Sequence, residues 1–217
     1  MRALVVAKAP VPGLVKTRLG AEVGMQTAAE LAAAALLDTL AACRSAFADC
    51  HLALDGELRD AVRSEDLARS LTGWTVHRQR GDGLGQRLAH AHADAAGSGP
   101  AVAPVVQVGM DTPQLTAADL QAVARAAAGG DAVLGPASDG GWWVLALCDP
   151  LPAAALADVP MSRPDTFERT RAALTAAGRT VRVAHELTDV DTAEDAAHVA
   201  AGLTDGHFLR AWESVPV

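Results

Sequence analysis

The 217-residue sequence contains no tyrosine and only seven aromatic residues, four Trp and three Phe. A core built on packed rings is excluded, so Ala, Val and Leu must fill the interior; alanine alone occupies 49 positions. Lysine is scarce too. Sixteen of the 18 basic side chains are Arg, and the two lysines are Lys8 and Lys16. Such an Arg and Ala excess has the look of a coding bias that lets Arg replace Lys wherever only charge matters, which draws attention to the segment holding both lysines. The three cysteines, Cys43, Cys50 and Cys148, show no C-x-x-C spacing. That excludes a zinc ribbon or dithiol motif and fits reduced thiols in a cytoplasmic protein. No apolar run approaches the ~20 residues that span a bilayer, and the Ala3–Ala7 stretch is too short for a secretory leader, so no membrane partner is expected. Positive charge is in deficit: the net charge is −8 and the pI about 5.3. This excludes a nucleic-acid partner, which needs a basic surface to replace counterions, but leaves room for a small anionic ligand held by a few local cations.

What is present alternates between short apolar runs and alanine-rich segments of helical period. Strands are predicted at 4–6, 51–54, 74–77, 105–108, 132–134, 142–147 and 180–184. Helices are predicted at 26–43, 57–70, 84–96, 116–128, 164–177 and 192–203. Residues 8–20, with two prolines and two glycines, read as a loop, and Gly97-Ser98-Gly99-Pro100 as a surface turn within one domain. The alternation predicts a single α/β domain over 1–204, with a mostly parallel central sheet and helices on both faces, followed by a C-terminal tail over 205–217. In that tail Phe208 and Trp212, at i and i+4, suit packing either on the domain or on a second copy in a homodimer. Ligands of such sheets bind beyond the carboxyl ends of the strands, so polar residues just after strands are the candidates.

Five segments qualify. Residues 8–19 combine Lys8, Lys16 and Arg18 with a chain stiffened by Pro10 and Pro12 and opened by Gly13, a pattern for phosphate binding at a helix start; an ordinary solvated basic loop reads the same way. Asp111 follows the 105–108 strand, where a carboxylate can hold Mg²⁺ or help to cap the next helix. Asp139 precedes Gly140-Gly141, either as an acidic functional group or as part of a tight turn. Asp189 and Asp191 precede a Thr192–Asp195 capping pattern, so they suit a metal shell or a helix dipole. Gln79, Gly83 and Gly85 belong to a glycine-rich loop that could meet a base or ribose. No Ser–His or Cys–His arrangement suggests covalent catalysis.

Taken in order, A-K-A-P-V-P-G-L-V-K-T-R-L, G-M-D-T-P-Q-L, G-P-A-S-D-G-G-W-W and D-V-D-T-A-E-D resemble the DUF2064 family of GT-A-fold transferases over residues 3–200. Two departures show: Trp142 stands where the family usually has Tyr, and Ala193 where Pro is common. The resemblance implies a nucleotide-diphospho-sugar transferase fold. More distantly, K-T-R-L is similar to 2-phospholactate guanylyltransferases, and D-V-D-T-A-E-D to molybdenum-cofactor nucleotidyltransferases. By that likeness Lys16 and Arg18 contact a triphosphate, while Asp111 and Asp191 bind Mg²⁺ or Mn²⁺; the two loops then place Lys8, Pro12, Gly13, Gln79, Gly83 and Gly85 as candidates around the nucleotide.

Three functions fit. A nucleotidyltransferase would move a nucleotide from a nucleoside triphosphate to a small phosphorylated or acidic acceptor, with Lys16 and Arg18 offsetting charge on the leaving pyrophosphate. A glycosyltransferase would use a nucleotide-sugar, with Asp139 as a base; one Asp in G-M-D-T-P instead of a D-x-D pair weighs against it, and the basic loop favours a triphosphate. A non-catalytic nucleotide-binding domain is the third, disfavoured by the full acidic set.

Overall fold

A computed structural model describes residues 1–97 and 103–215. The expected 97–100 turn therefore falls, from Ser98 onward, outside the described residues. Seven strands form one sheet: β1 (Arg2–Lys8), β2 (Cys50–Asp55), β3 (Thr75–Arg78), β4 (Val105–Val108), β5 (Ala132–Pro136), β6 (Trp142–Leu147) and β7 (Val181–Val183). Their order is β3-β2-β1-β4-β6-β5-β7. All neighbours run parallel except β6, which is antiparallel to both β4 and β5. The carboxyl ends of β1, β4, β5 and β7 and the amino end of β6 consequently share one edge.

The helices are α1 (Thr17–Val23), α2 (Met25–Ala46), α3 (Ser64–Ser70), α4 (Leu84–Ala96), α5 (Ala117–Ala127), α6 (Thr166–Ala176), α7 (Ala193–Gly202) and α8 (His207–Glu213). Side chains alternate across the central strands. Ala3, Val5 and Ala7 of β1 join a core with α2 and α5, whereas Leu4 and Val6 join a second core with α4, Leu156 and Leu174. Each such buried Leu or Val stabilises the fold by roughly 1.5–3 kcal/mol. A third cluster packs Leu19, Leu31, Val190, Val199 and Phe208 where α1, α2, α7 and α8 meet. No helix among the described residues is long and apolar enough to cross a membrane.

Three local expectations change. The 8–20 loop ends early, because α1 begins at Thr17; the helix tolerates Gly20 because Leu19 is anchored in the third core. The helix expected over 57–70 is broken into a 3-10 turn, Leu58–Asp60, and α3. An unforeseen 3-10 segment, Leu151–Asp158, packs on α4. The tail contains α8, whose first backbone N–H groups, of His207 and Phe208, donate to the Asp38 carboxylate on α2 at 2.8 Å each. With no capping side chain at Gly206, a distant carboxylate satisfies the helix end.

Candidate active site

The basic loop leaves β1 at Lys8 and is tied down by backbone bonds, Ala9 N–H to Asp55 O and Val62 N–H to Pro10 O. It ends at Lys16, which adopts a left-handed conformation (φ 46°) uncommon for a non-glycine residue. That turn directs the Lys16 side chain inward, where it is 11% exposed. Its ammonium lies 3.0 Å from Asp111 and 2.8 Å from Asp191. Burial alone would depress the Lys16 pKa, but the two carboxylates outweigh it and raise the value above the ordinary one, so the ammonium stays charged. Arg18, 80% exposed, stands farther off at 3.9 Å from Asp191.

The two carboxylates come from the middle and the C-terminal part of the sequence, and the backbone explains their meeting. Val190 N–H donates to Asp111 O at 3.0 Å, and Gln114 Nε2 donates to Thr188 O at 2.7 Å, which fastens the segment after β7 to the corner after β4. Burial pushes the Asp191 carboxyl up, but Lys16 and Arg18 overcome this and hold it below the usual range. At Asp189 the Lys16 charge offsets too little: burial, with Asp111 and Asp139 close by, pushes it up to about 8.

Two cavities share Lys8, Met110, Asp111 and Asp191 in their walls. One, of about 290 Å³, is lined by Leu14, Lys16 and Arg18 of the basic loop. The other, of about 440 Å³, extends past Asp55, Gln79 and Arg87 on one side and Asp139, Trp142 and Arg163 on the other. The structure thus brings together Lys8, Lys16, Arg18, Gln79, Asp111, Asp139 and Asp191. Gln79 is oriented unambiguously, since its Nε2 donates to two carbonyls, Ala7 O at 2.8 Å and Ala53 O at 3.0 Å. Its Oε1, an acceptor, is left for a ligand. Asp139 is exposed, and its Oδ1 accepts the Gly141 N–H at 2.7 Å, so one oxygen serves its own turn.

Pro12, Gly13, Gly83 and Gly85 line neither cavity. Gly85 has a packing role instead: a Cβ there would lie 2.5 Å from Leu156 O. The tandem tryptophans divide as strand alternation requires. Trp143 is buried in the first core and its indole N–H donates to His185 O, whereas Trp142 is half-buried against the second; both line the larger cavity. Arg87, paired with Asp55 at 2.8 Å, and the wall around Arg163 belong to the cavity but were not singled out from sequence.

No group of three or more His, Cys, Asp or Glu side chains among the described residues is arranged to enclose a metal ion. Two carboxylates nevertheless converge on one positive charge, and Mg²⁺ is commonly held by one or two carboxylates together with water and substrate phosphates. Asp111 and Asp191 fit that donor set, with the Lys16 ammonium as the resident cation.

This arrangement, a basic strand-to-helix loop facing paired carboxylates at the switch from parallel to antiparallel strands, sits on the fold of nucleotide-diphospho-sugar transferases. A protein of Desulfovibrio desulfuricans G20, provisionally described as a nucleotide-diphospho-sugar transferase, superposes with a TM-score of 0.83 at 27% identity, over 98% of this chain and 92% of that one. A nucleotidyl transferase from Methanothermobacter (Mth528) shares the fold at 20% identity and TM-score 0.60, over 97% and 98% of the two chains. Rv0371c of Mycobacterium tuberculosis H37Rv, solved in complex with manganese, does so at 19% identity and TM-score 0.54, over 93% and 99%. Residues 37–163 match the family described as "Uncharacterized protein conserved in bacteria (DUF2064)", and the chain belongs to that family. No curated protein matches it.

Proposed function

We propose that the protein is a metal-dependent nucleotidyltransferase. An oxygen of a small phosphorylated or acidic acceptor attacks the α-phosphorus of a nucleoside triphosphate; the new P–O bond forms as the bond to the bridging oxygen of the β-phosphate breaks, and pyrophosphate leaves. The observation that carries this reading is the buried, charged Lys16 held by Asp111 and Asp191 at the end of the basic loop. In-line transfer needs positioning and charge neutralisation more than a covalent nucleophile, and the acceptor oxygen arrives already anionic.

Asp111 and Asp191 would hold Mg²⁺ or Mn²⁺, which when bound neutralises phosphate charge. The solved manganese complex of the distant fold relative is in keeping with this. Lys16 is the internal counter-ion of the carboxylates while they have no other; once they are otherwise neutralised, it turns to the phosphates beside Arg18 and Lys8. Gln79, with Oε1 left as an acceptor, suits a base that presents an amino group.

A second reading, glycosyl transfer from a nucleotide-sugar, is favoured by Asp139, which lines the same cavity and could take a proton from an acceptor hydroxyl. The test is to incubate the protein with Mg²⁺ or Mn²⁺, each nucleoside triphosphate and a set of small phosphorylated and acidic acceptors, and to follow pyrophosphate. Acceptor-dependent pyrophosphate release is expected. Nucleoside diphosphate released from nucleotide-sugars, with no pyrophosphate from triphosphates, would establish the second reading instead.

A further inference from the structure

The turn at Asp139-Gly140-Gly141 is one half of a larger construction. Segment 160–166, which no sequence motif marked, is built against it. Phe167 N–H donates to Gly140 O at 2.9 Å, and Gly140, at φ +88°, is so close that a Cβ would lie 2.1 Å from Pro164 O. Within the segment the Thr166 hydroxyl, on a residue 4% exposed, accepts the Arg163 N–H at 3.0 Å and donates to Pro160 O at 3.2 Å. Ser162 is held left-handed at φ 57°, a strained state that persists only where surroundings impose it. The product is a fixed wall from which Met161, Ser162 and Arg163 line the 440 Å³ cavity, next to Trp142 at the start of β6.

The charges of that cavity sort clearly. Asp111 and Asp191 are paired with Lys16, and Asp55 with Arg87. Two exposed cations of this cavity pair with no carboxylate among the described residues: Lys8, where β1 leaves for the basic loop, and Arg163, on the side of Asp139 and Trp142. Asp139 adds a carboxylate to this side of the cavity, which disfavours a second anionic group.

We propose that this wall is the acceptor subsite, and that it takes a small molecule carrying one anionic group on a flat or apolar body. Arg163 receives the anion through its planar fork of donors, and Trp142 with Met161 receives the body. The inference rests on the reading that the basic loop takes the nucleotide.

Phenyl phosphate is the probe, titrated calorimetrically into the full chain, with phenol as the uncharged control. Binding to the wild type is expected, with Arg163→Ala weakening it about tenfold or more. Trp142→Ala should weaken it as well, and magnesium-nucleotide affinity should stay within about twofold in both. The proposal is overturned if phenyl phosphate does not bind, if phenol binds equally well, or if Lys16→Ala abolishes binding while Arg163→Ala leaves it intact. A protein that binds phenyl phosphate through Arg163 but no nucleotide would keep the subsite and overturn the nucleotide reading alone.

Discussion

Two strand-to-helix corners supply the carboxylates of the centre, and they are built alike. After β4 the chain runs from Asp111 to Thr116; after β7 it runs through Asp189 and Asp191 to Thr192. Each corner ends in a reciprocal cap. The Thr116 hydroxyl accepts the Asp119 N–H and Asp119 accepts the Thr116 N–H, and Thr192 does the same with Asp195. Each corner also carries an aspartate ahead of its cap that reaches Lys16. One residue type thus performs two jobs, separated by position: an aspartate inside the first helical turn satisfies backbone donors, while one before the cap is left for the cleft. The corners differ in one respect, since only the second adds a further, half-buried carboxyl, Asp189, that forms no ion pair among the described residues.

The largest expected effect lies on the cleft positions. Asp111→Asn or Asp191→Asn should lower turnover about 100- to 1,000-fold and remove the thermal shift produced by Mn²⁺. If Asp195→Ala removes that shift as completely, the division between capping and cleft aspartates fails. Next is acid sensitivity, which should arise beneath β4 and not at the corners. His92 of α4 is buried against Gln107, and burial pushes its pKa down to about 4. Because the unfolded state binds the proton first, stability is full above about pH 6.5 and falls by about 3 kcal/mol as pH drops to about 4. His92→Leu should flatten that part of the pH–stability curve relative to the wild type, measured by denaturant titration. If the difference is absent, the corner carboxylates become the source.

A smaller effect concerns the shared counter-ion. Lys16→Met should tighten Mn²⁺ binding to the nucleotide-free protein by about tenfold, read by calorimetry, while weakening nucleotide binding. Unchanged or weaker Mn²⁺ binding would show that the ammonium does not stand where the metal does. The smallest effects belong to the caps. Asp119→Ala and Asp195→Ala should each cost about 1 kcal/mol, a few degrees in Tm, with Mn²⁺ response retained.

Much of the sheet and both caps were legible because they depend on local pattern. The β4 run of Val105–Val108 and the T-x-x-D steps at Thr116 and Thr192 state their structure within a few residues. The acidic residues were legible as candidates, but their convergence on Lys16 was not, since it is made by the Val190–Asp111 backbone bond. Gly85 shows the opposite error of local reading: a glycine-rich loop suggested ligand contact, whereas the Leu156 carbonyl explains the missing side chain. The Arg163 wall was invisible because its rigidity comes from Gly140, and helix α1 was hidden because its start depends on the left-handed Lys16.

Lys16 and Asp191 are separated by 175 positions, yet they hold one another directly. The centre is therefore a late event in the life of the chain. A nascent polypeptide emerging in order has the basic loop first, then Asp111, and acquires the second carboxylate only 175 positions after Lys16, when α7 and α8 close over α2. Chemical competence becomes a report on docking: a chain whose α7 and α8 have not packed leaves Lys16 half-partnered and its cleft unfinished.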